Sequence, residues 1–417
     1  MKKSPLFVLA LVQVFLLLIC CPLVGQDSPQ QGVVPISSLT SRKEALEQQL
    51  DAKRKAGASE DDADTVNLEK QLLEATGQED AALQEIPTAS KAAGIQAWLS
   101  IPVYFATDRA RNSTNGFSGD MRSSGFEIGS AKVTLSVSYG VRTDLISGAA
   151  TLPLTTTDTV PTIAPIASGS ILNAIKATDA ASVGKKKRIV LFVHGYNVSF
   201  AEAATSAARL STEVQFPVIP VIYDWPSNGT LTGYWHDEDQ IRASFPRFVQ
   251  FLKDFVLNSP YEVIIVCHSM GSREVTSALS ELGRQKVNLP QLKKVVFAAA
   301  DISAVEFMNA WPDMQKLSGV QYTFYASSHD LPLRLSHIVH QVPRLGDASP
   351  IVAVPAGGTT VDASAIDSIY QALGHSYIVN SPRVGADIGN WVDTNNPPQS
   401  RGLAQVTIAG KSYFLFR

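Results

Sequence analysis

Ser269 is the residue around which chemistry can be built. It stands in Cys267-His268-Ser269-Met270-Gly271, directly after the β-branched apolar run Val263 to Val266 and before a helical stretch from Ser272 to about Leu282. A buried strand, a sharp turn with a central serine and then a helix is the layout of a nucleophile elbow. The usual pattern is G-x-S-x-G. Here Cys267 takes the place of the first glycine and Gly271 keeps the second. A serine on such a turn carries its hydroxyl above the sheet edge, beside a helix N-terminus that favours negative charge. The chemistry implied is nucleophilic attack on an acyl carbon.

Such a nucleophile needs oxyanion donors, a base and an acid. After the strand Arg188–Val193 comes His194-Gly195-Tyr196-Asn197. Main-chain N–H groups of an early loop like this one, together with the residue after the nucleophile, stabilise a tetrahedral intermediate. The donors are therefore expected at Tyr196 and Met270. Gly195 permits the tight turn, and Asn197 doubles as a candidate cap for the helix starting near Ser199. His194 precedes the serine and is expected to be a hydrogen-bonded loop residue. Triads of this layout run serine, acid, histidine along the chain, so the base lies downstream. The candidates are His337, His340 and His375. The first two share a helical face at i, i+3. His375 lies in a loop, from which a side chain can reach over the sheet edge, and it is preferred. For the acid, Asp330 follows the strand Tyr322–Ala326 and is preferred. Asp301 follows the earlier strand ending at Ala300 and stays as the alternative, with helix capping as its other role.

The elements needed to hold these residues are present. Strand candidates at Arg188–His194, Val218–Asp224, Val263–Val266, Leu292–Ala300 and Val320–Ala326 alternate with helical stretches, which predicts a mostly parallel sheet covered by helices on both faces. A strand ending in Asp108-Arg109 precedes them, and the alternation from Lys132 to Tyr139 predicts a half-buried strand. Asp108 and Arg109 are expected to pair with each other, and Trp225 to be buried or to wall the pocket. Thr151 to Ser170 is expected to be an irregular surface loop. His236-Asp237-Glu238-Asp239 is expected to be a solvated turn, since consecutive residues rarely converge on one ion, and no metal or other cofactor is expected.

With 417 residues, 45% of them hydrophobic and 18% charged, the chain has room for one large α/β domain and appendages. Thirty-five basic against 38 acidic residues leave a net charge of −3, which does not point to a nucleic-acid surface, and no nucleic-acid partner is expected. Two lysines and an apolar run from Leu6 to Val24 form an export signal, with cleavage expected after Gly25. A lipoprotein signal at Cys20-Cys21 and an uncleaved anchor are the rival readings. Residues 1–25 are thus a signal peptide or anchor, and the protein is expected in the periplasm, in the cell envelope or outside the cell. Residues 26–97 carry a capping box at Ser41-x-x-Glu44, leucines 39, 46 and 50 at helical spacing, and a break at Gly57. They are expected to form one or two charged helices serving as a solvated spacer. The catalytic domain is expected over 98–395, and a β-hairpin around Ala409-Gly410-Lys411 over 396–417.

Seven stretches in collinear order now resemble a bacterial family of α/β hydrolases of unknown function, related to lipases and esterases. They are Val103-Tyr104-Phe105-Ala106-Thr107-Asp108-Arg109, Phe192-Val193-His194-Gly195-Tyr196-Asn197, Trp225-Pro226-Ser227 with Gly233-Tyr234, His268-Ser269-Met270-Gly271, Tyr325-Ala326-Ser327-Ser328-His329-Asp330, Pro343-Arg344-Leu345-Gly346-Asp347 and His375-Ser376-Tyr377. The resemblance spans about residues 98 to 390. It implies an α/β-hydrolase fold and carries Ser269, Asp330 and His375 as the triad, without supplying a substrate. The expectation is an exported serine hydrolase acting on a carboxylic ester or related acyl group of a small molecule. The alternative is a catalytically silent envelope scaffold that uses the same fold as a binding surface.

Overall fold

The computed structural model describes residues 96–416 except 115, 139–141, 144–149, 152–160, 167–169, 180–187, 215–216, 229–232, 350–351, 367–374, 376 and 409, together with scattered positions between 42 and 71. The apolar N-terminal run lies outside the described residues. Among those described, no helix is long and apolar enough to cross a membrane.

The β-branched runs form an eleven-stranded sheet. In chain order its strands are β1 (Gln96–Thr107), β2 (Glu127–Ser138), β3 (Thr162–Pro165), β4 (Arg188–Val193), β5 (Val218–Asp224) and β6 (Val263–His268). They continue with β7 (Leu292–Ala298), β8 (Gln321–Ala326), β9 (Thr359–Asp362), β10 (Ala404–Ile408) and β11 (Lys411–Leu415). Across the sheet the order is β10-β11-β9-β8-β7-β6-β4-β5-β1-β2-β3. Every pairing from β1 to β11 is parallel, whereas β2 runs against β1, β3 against β2 and β10 against β11.

The parallel strands have no solvent face, which explains their unbroken apolar runs. In β4, Ile189, Leu191 and Val193 enter one core and Val190 and Phe192 the other; in β6, Val263, Ile265 and Cys267 oppose Ile264 and Val266. The first core is covered by α1 (Ile171–Asp179), α3 (Tyr234–Asn258), α4 (Gly271–Arg284) and α5 (Ala304–Met314). The second is covered by α2 (Phe200–Glu213), α7 (Tyr377–Asn380) and α8 (Pro382–Thr394). Between α5 and α7 in the chain, α6 (Leu331–His340) follows β8 directly. In α4, Val275, Ala278, Leu279 and Leu282 fall at i, i+3, i+4 and i+7 and are all buried.

Strand order reverses around β4, because β5 lies on one side of it and β6 on the other. The helices that follow β4 and β6 therefore leave on opposite faces and open a crevice at the carboxyl ends of the strands.

Several expectations are corrected. Within the stretch 151–170, Thr162–Pro165 is an edge strand paired with β2. The expected C-terminal hairpin is present as β10 and β11, and it is part of the main sheet, since β11 pairs in parallel with β9. His236 to Asp239 lie in the first turns of α3, with Asp237 and Glu238 buried. In the 26–97 region, Leu46 and Leu50 are buried with Leu331 of α6 and packed by Leu68, so these described positions are not solvated. Lys53 pairs with Asp64 at 2.9 Å, and the break expected at Gly57 lies outside the described residues.

Candidate active site

The elbow is strained where it needs to be. Ser269 has φ of 51°, left-handed backbone that a residue with a Cβ adopts at a cost on the order of 1–3 kcal/mol. Its backbone N–H donates to Ala298 O at 3.0 Å. Its carbonyl accepts from Asp301 N (3.1 Å), Ser272 N (3.1 Å) and Ser272 Oγ (2.6 Å), which holds the turn from three sides. A Cβ at Gly271 would stand 2.3 Å from His194 O, and one at Gly195 would stand 2.7 Å from Ser269 Cβ. Only glycine allows the two loops to close this far. Cys267, in the place of the first pattern glycine, is a fully buried strand residue whose Sγ faces Val296 O at 3.3 Å. Burial pushes its thiol well up, so it is not a competing nucleophile.

α4 begins at Met270 without a side-chain cap, leaving its N-terminus beside Ser269. The opposing loop is held from behind by the His194 ring, which stacks on Trp225 at 4.9 Å and 15°. Trp225 Nε1 donates to His194 O at 2.9 Å. The His194 nitrogens face Gly195 O (2.8 Å), Trp225 O (3.1 Å) and Asp224 Oδ1 (3.1 Å). Asn197 has φ of 57°, and its N–H donates to Asp237 Oδ2 at 3.2 Å. It is not the cap of α2, which is Ser199 in a reciprocal capping box with Glu202.

Asp330 and His375, 45 residues apart, are brought together. His375 Nδ1 lies 2.9 and 2.8 Å from the two Asp330 oxygens. Asp330 is fully buried and also caps α6, accepting from Leu333 N at 3.0 Å. His375 is held through its own carbonyl and through Tyr377, two residues on. His268 Nε2 donates to His375 O at 2.8 Å with the two rings 4.7 Å apart, and Tyr377 Oη bridges Tyr325 O (2.9 Å) and Ala299 N (3.1 Å). Because His268 immediately precedes Ser269, this contact holds the His375 segment at the elbow. No hydrogen bond joins Ser269 to His375 among the described contacts, and such bonds often tighten only around a substrate. Burial lowers the His375 imidazole to about 4 and raises the Asp330 carboxyl, the latter opposed by the Leu333 N–H.

The alternatives are committed elsewhere. Asp301 meets Arg273 (3.0 Å) and Arg344 (3.3 Å) and accepts from Tyr234 Oη (3.0 Å) and Ser336 Oγ (2.6 Å). Burial alone would raise its carboxyl, but the two arginines hold it well below the usual range. It does not cap α5, whose cap is Ser303. His340 faces Glu238 at 3.0 Å, and His337 lies 3.8 Å from Asp347. Nor do Asp108 and Arg109 pair. Arg109 meets Asp224 at 2.8 Å, whereas Asp108 accepts from Tyr223 Oη (2.9 Å) and Ser244 Oγ (2.6 Å). Among the described residues no group of three or more His, Cys, Asp or Glu is arranged to hold a metal.

Two supporting residues escaped the sequence reading. Arg273, one helical turn after Ser269, donates to Asp301 O at 2.6 Å and pairs with Glu238, whose carboxyl is held at about 2 by hydrogen bonds from His340 and Arg273 against the upward pull of burial. Its i, i+4 spacing from the serine was the available signal. Asp224 ends a strand, as Asp301 and Asp330 nearly do, and only its neighbours in space reveal its role.

With strand order, elbow, the loop after β4 and the Asp–His pair in place, the molecule is an α/β hydrolase in architecture. Residues 174–390, just over half of the chain, match the family described as alpha/beta hydrolase of unknown function (DUF900), and the chain belongs to that family. No curated protein matches the sequence. Among solved structures, a hyperthermophilic esterase from the archaeon Pyrobaculum calidifontis is 10% identical with a TM-score of 0.31, covering 88% of this chain and 99% of its own. A thermostable esterase from Pseudomonas putida is 11% identical at 0.30, covering 87% and 96%. An esterase from the fungus Rhizomucor miehei is 8% identical at 0.30, covering 94% and 96%. Likeness this slight carries no argument about the site.

Proposed function

We propose that the protein is an exported serine hydrolase of carboxylic esters, with Ser269 as nucleophile, His375 as base and Asp330 as the acid that orients it. The observation that carries the reading is the buried Asp330–His375 contact held by His268 at a serine with φ of 51°. His375 Nε2 takes the Ser269 proton as Oγ attacks the carbonyl carbon. The oxyanion is met by the main-chain N–H groups of Tyr196 and Met270. The imidazolium, its Nδ1–H directed at Asp330, then protonates the departing alcohol. Water, deprotonated by the same ring, releases the acid and regenerates Ser269. Export follows from the apolar run at residues 6–24, and mass analysis of the mature chain tests it: a chain starting at Gln26 supports export, and an intact Met1 contradicts cleavage.

The test is hydrolysis of p-nitrophenyl esters of graded chain length by the chain lacking residues 1–25, beside Ser269→Ala and Asp330→Asn. Turnover that collapses in Ser269→Ala is the expected result. Folded protein with neither turnover nor fluorophosphonate labelling would move the reading to a silent scaffold.

A further inference from the structure

Beside the nucleophile the surface is built of rings. Tyr196 follows Gly195, whose Cα faces Ser269 Cβ closely enough to exclude any side chain. Tyr234 donates its hydroxyl to Asp301, whose own N–H holds the Ser269 carbonyl. Each of the two tyrosines is thus one link from the serine, and they meet edge to face at 5.2 Å and 65°. Tyr234 in turn meets Trp235 at 5.8 Å and 89°, and His340 lies 5.7 Å from Tyr234 and 6.0 Å from Trp235.

Polar groups fix the series at its edges. Tyr234 Oη also receives Arg273 Nη2 at 2.8 Å and lies 3.2 Å from Ser336 Oγ; His340 Nε2 meets Glu238 at 3.0 Å. Trp235, at the outer end, is 52% exposed, the most exposed aromatic ring among the large hydrophobic side chains of the described residues. It serves no buried core, and the packing of α3 does not require an indole there. Edge-to-face pairs are extended favourably by one more ring, because the positive edge of one meets the negative face of the next.

Resting on the ester-hydrolase reading above, we propose that Tyr196, Tyr234, Trp235 and His340 wall a subsite for an aromatic ring carried by the substrate, with Trp235 as its outer specificity-determining residue. The ring can belong to the acyl or the alcohol half of the ester, and the assay separates the two.

Rates are compared for benzyl acetate against cyclohexylmethyl acetate and for ethyl benzoate against ethyl cyclohexanecarboxylate, pairs that differ in aromatic character at similar size. One pair is expected to show an aryl preference in kcat/KM of about three- to tenfold, expressed in KM. That pair identifies the half of the ester that meets the rings. The ratio should fall to near unity in Trp235→Ala and return in Trp235→Phe. Equal rates within both pairs, or a ratio untouched by Trp235→Ala, would overturn the subsite. A parallel titration of Ser269→Ala with the same four esters by calorimetry reads the rings without turnover. No aryl preference in binding there overturns the subsite, whereas aryl preference with no turnover in the parent overturns the hydrolase reading alone.

Discussion

Among the described residues, two Asp–His pairs stand after strands at the carboxyl edge of the sheet, His194–Asp224 and His375–Asp330, and they are built differently. His194 is 1% exposed, stacked on Trp225, with both ring nitrogens facing oxygen atoms, and its partner Asp224 is shared with Arg109 and with Thr107 Oγ1 at 2.5 Å. His375 spends only Nδ1 on Asp330, keeps 18% of its side chain exposed and is tied back through its carbonyl rather than its ring. A base needs one nitrogen held and one open to its substrate. By that criterion the first pair is a brace for the loop after β4, and only the second has the geometry that the proposed proton transfer needs. Proximity of an aspartate to a histidine does not by itself identify a catalytic pair.

Substitutions can break this contrast. The largest effect is expected in His375→Ala, with kcat lower by about a million-fold while the melting temperature stays near that of the parent. Asp330→Asn should lower kcat by about ten-thousand-fold, because the amide permits the wrong imidazole tautomer. Asp224→Asn should act on folding instead. It leaves Arg109 buried beside a neutral group, so denaturant unfolding should show a loss of about 3–5 kcal/mol, with kcat per folded molecule within about tenfold of the parent. A million-fold loss of kcat in folded Asp224→Asn would exchange the roles of the two pairs.

pH gives a smaller and separate reading. His375 must be neutral to accept the Ser269 proton. Burial lowers its folded-state value to about 4, so the active form persists above that value and is lost as pH falls through it. The acid limb of kcat/KM is therefore expected well below the ordinary histidine value of about 6.5, and a midpoint at or above that value contradicts the buried placement.

What could be read from sequence was local in character. Ser269 announces itself through a strand, a glycine and a helix within about ten residues, and Asp330 and His375 follow from position after a strand and order along the chain. The brace could not be read in this way. Arg109 and Asp224 are 115 residues apart, and their meeting depends on β1 lying next to β5, which no local pattern encodes. The same limit explains the wrong partner assigned to Arg109, since its neighbour in sequence was the only acid visible. Thr162–Pro165 was hidden because its residues suit a loop and become a strand only through pairing with β2. The leucine spacing at 46 and 50 marked a helix, but nothing before the fold existed could show that these leucines would meet Leu331, the residue after the acid.

The most direct measurement is intact-mass analysis after fluorophosphonate treatment of the parent and of His375→Ala, with the modified peptide sequenced. The account predicts one adduct on Ser269 in the parent and none in His375→Ala over the same time. An unlabelled folded parent, or equal labelling of the two proteins, would contradict it.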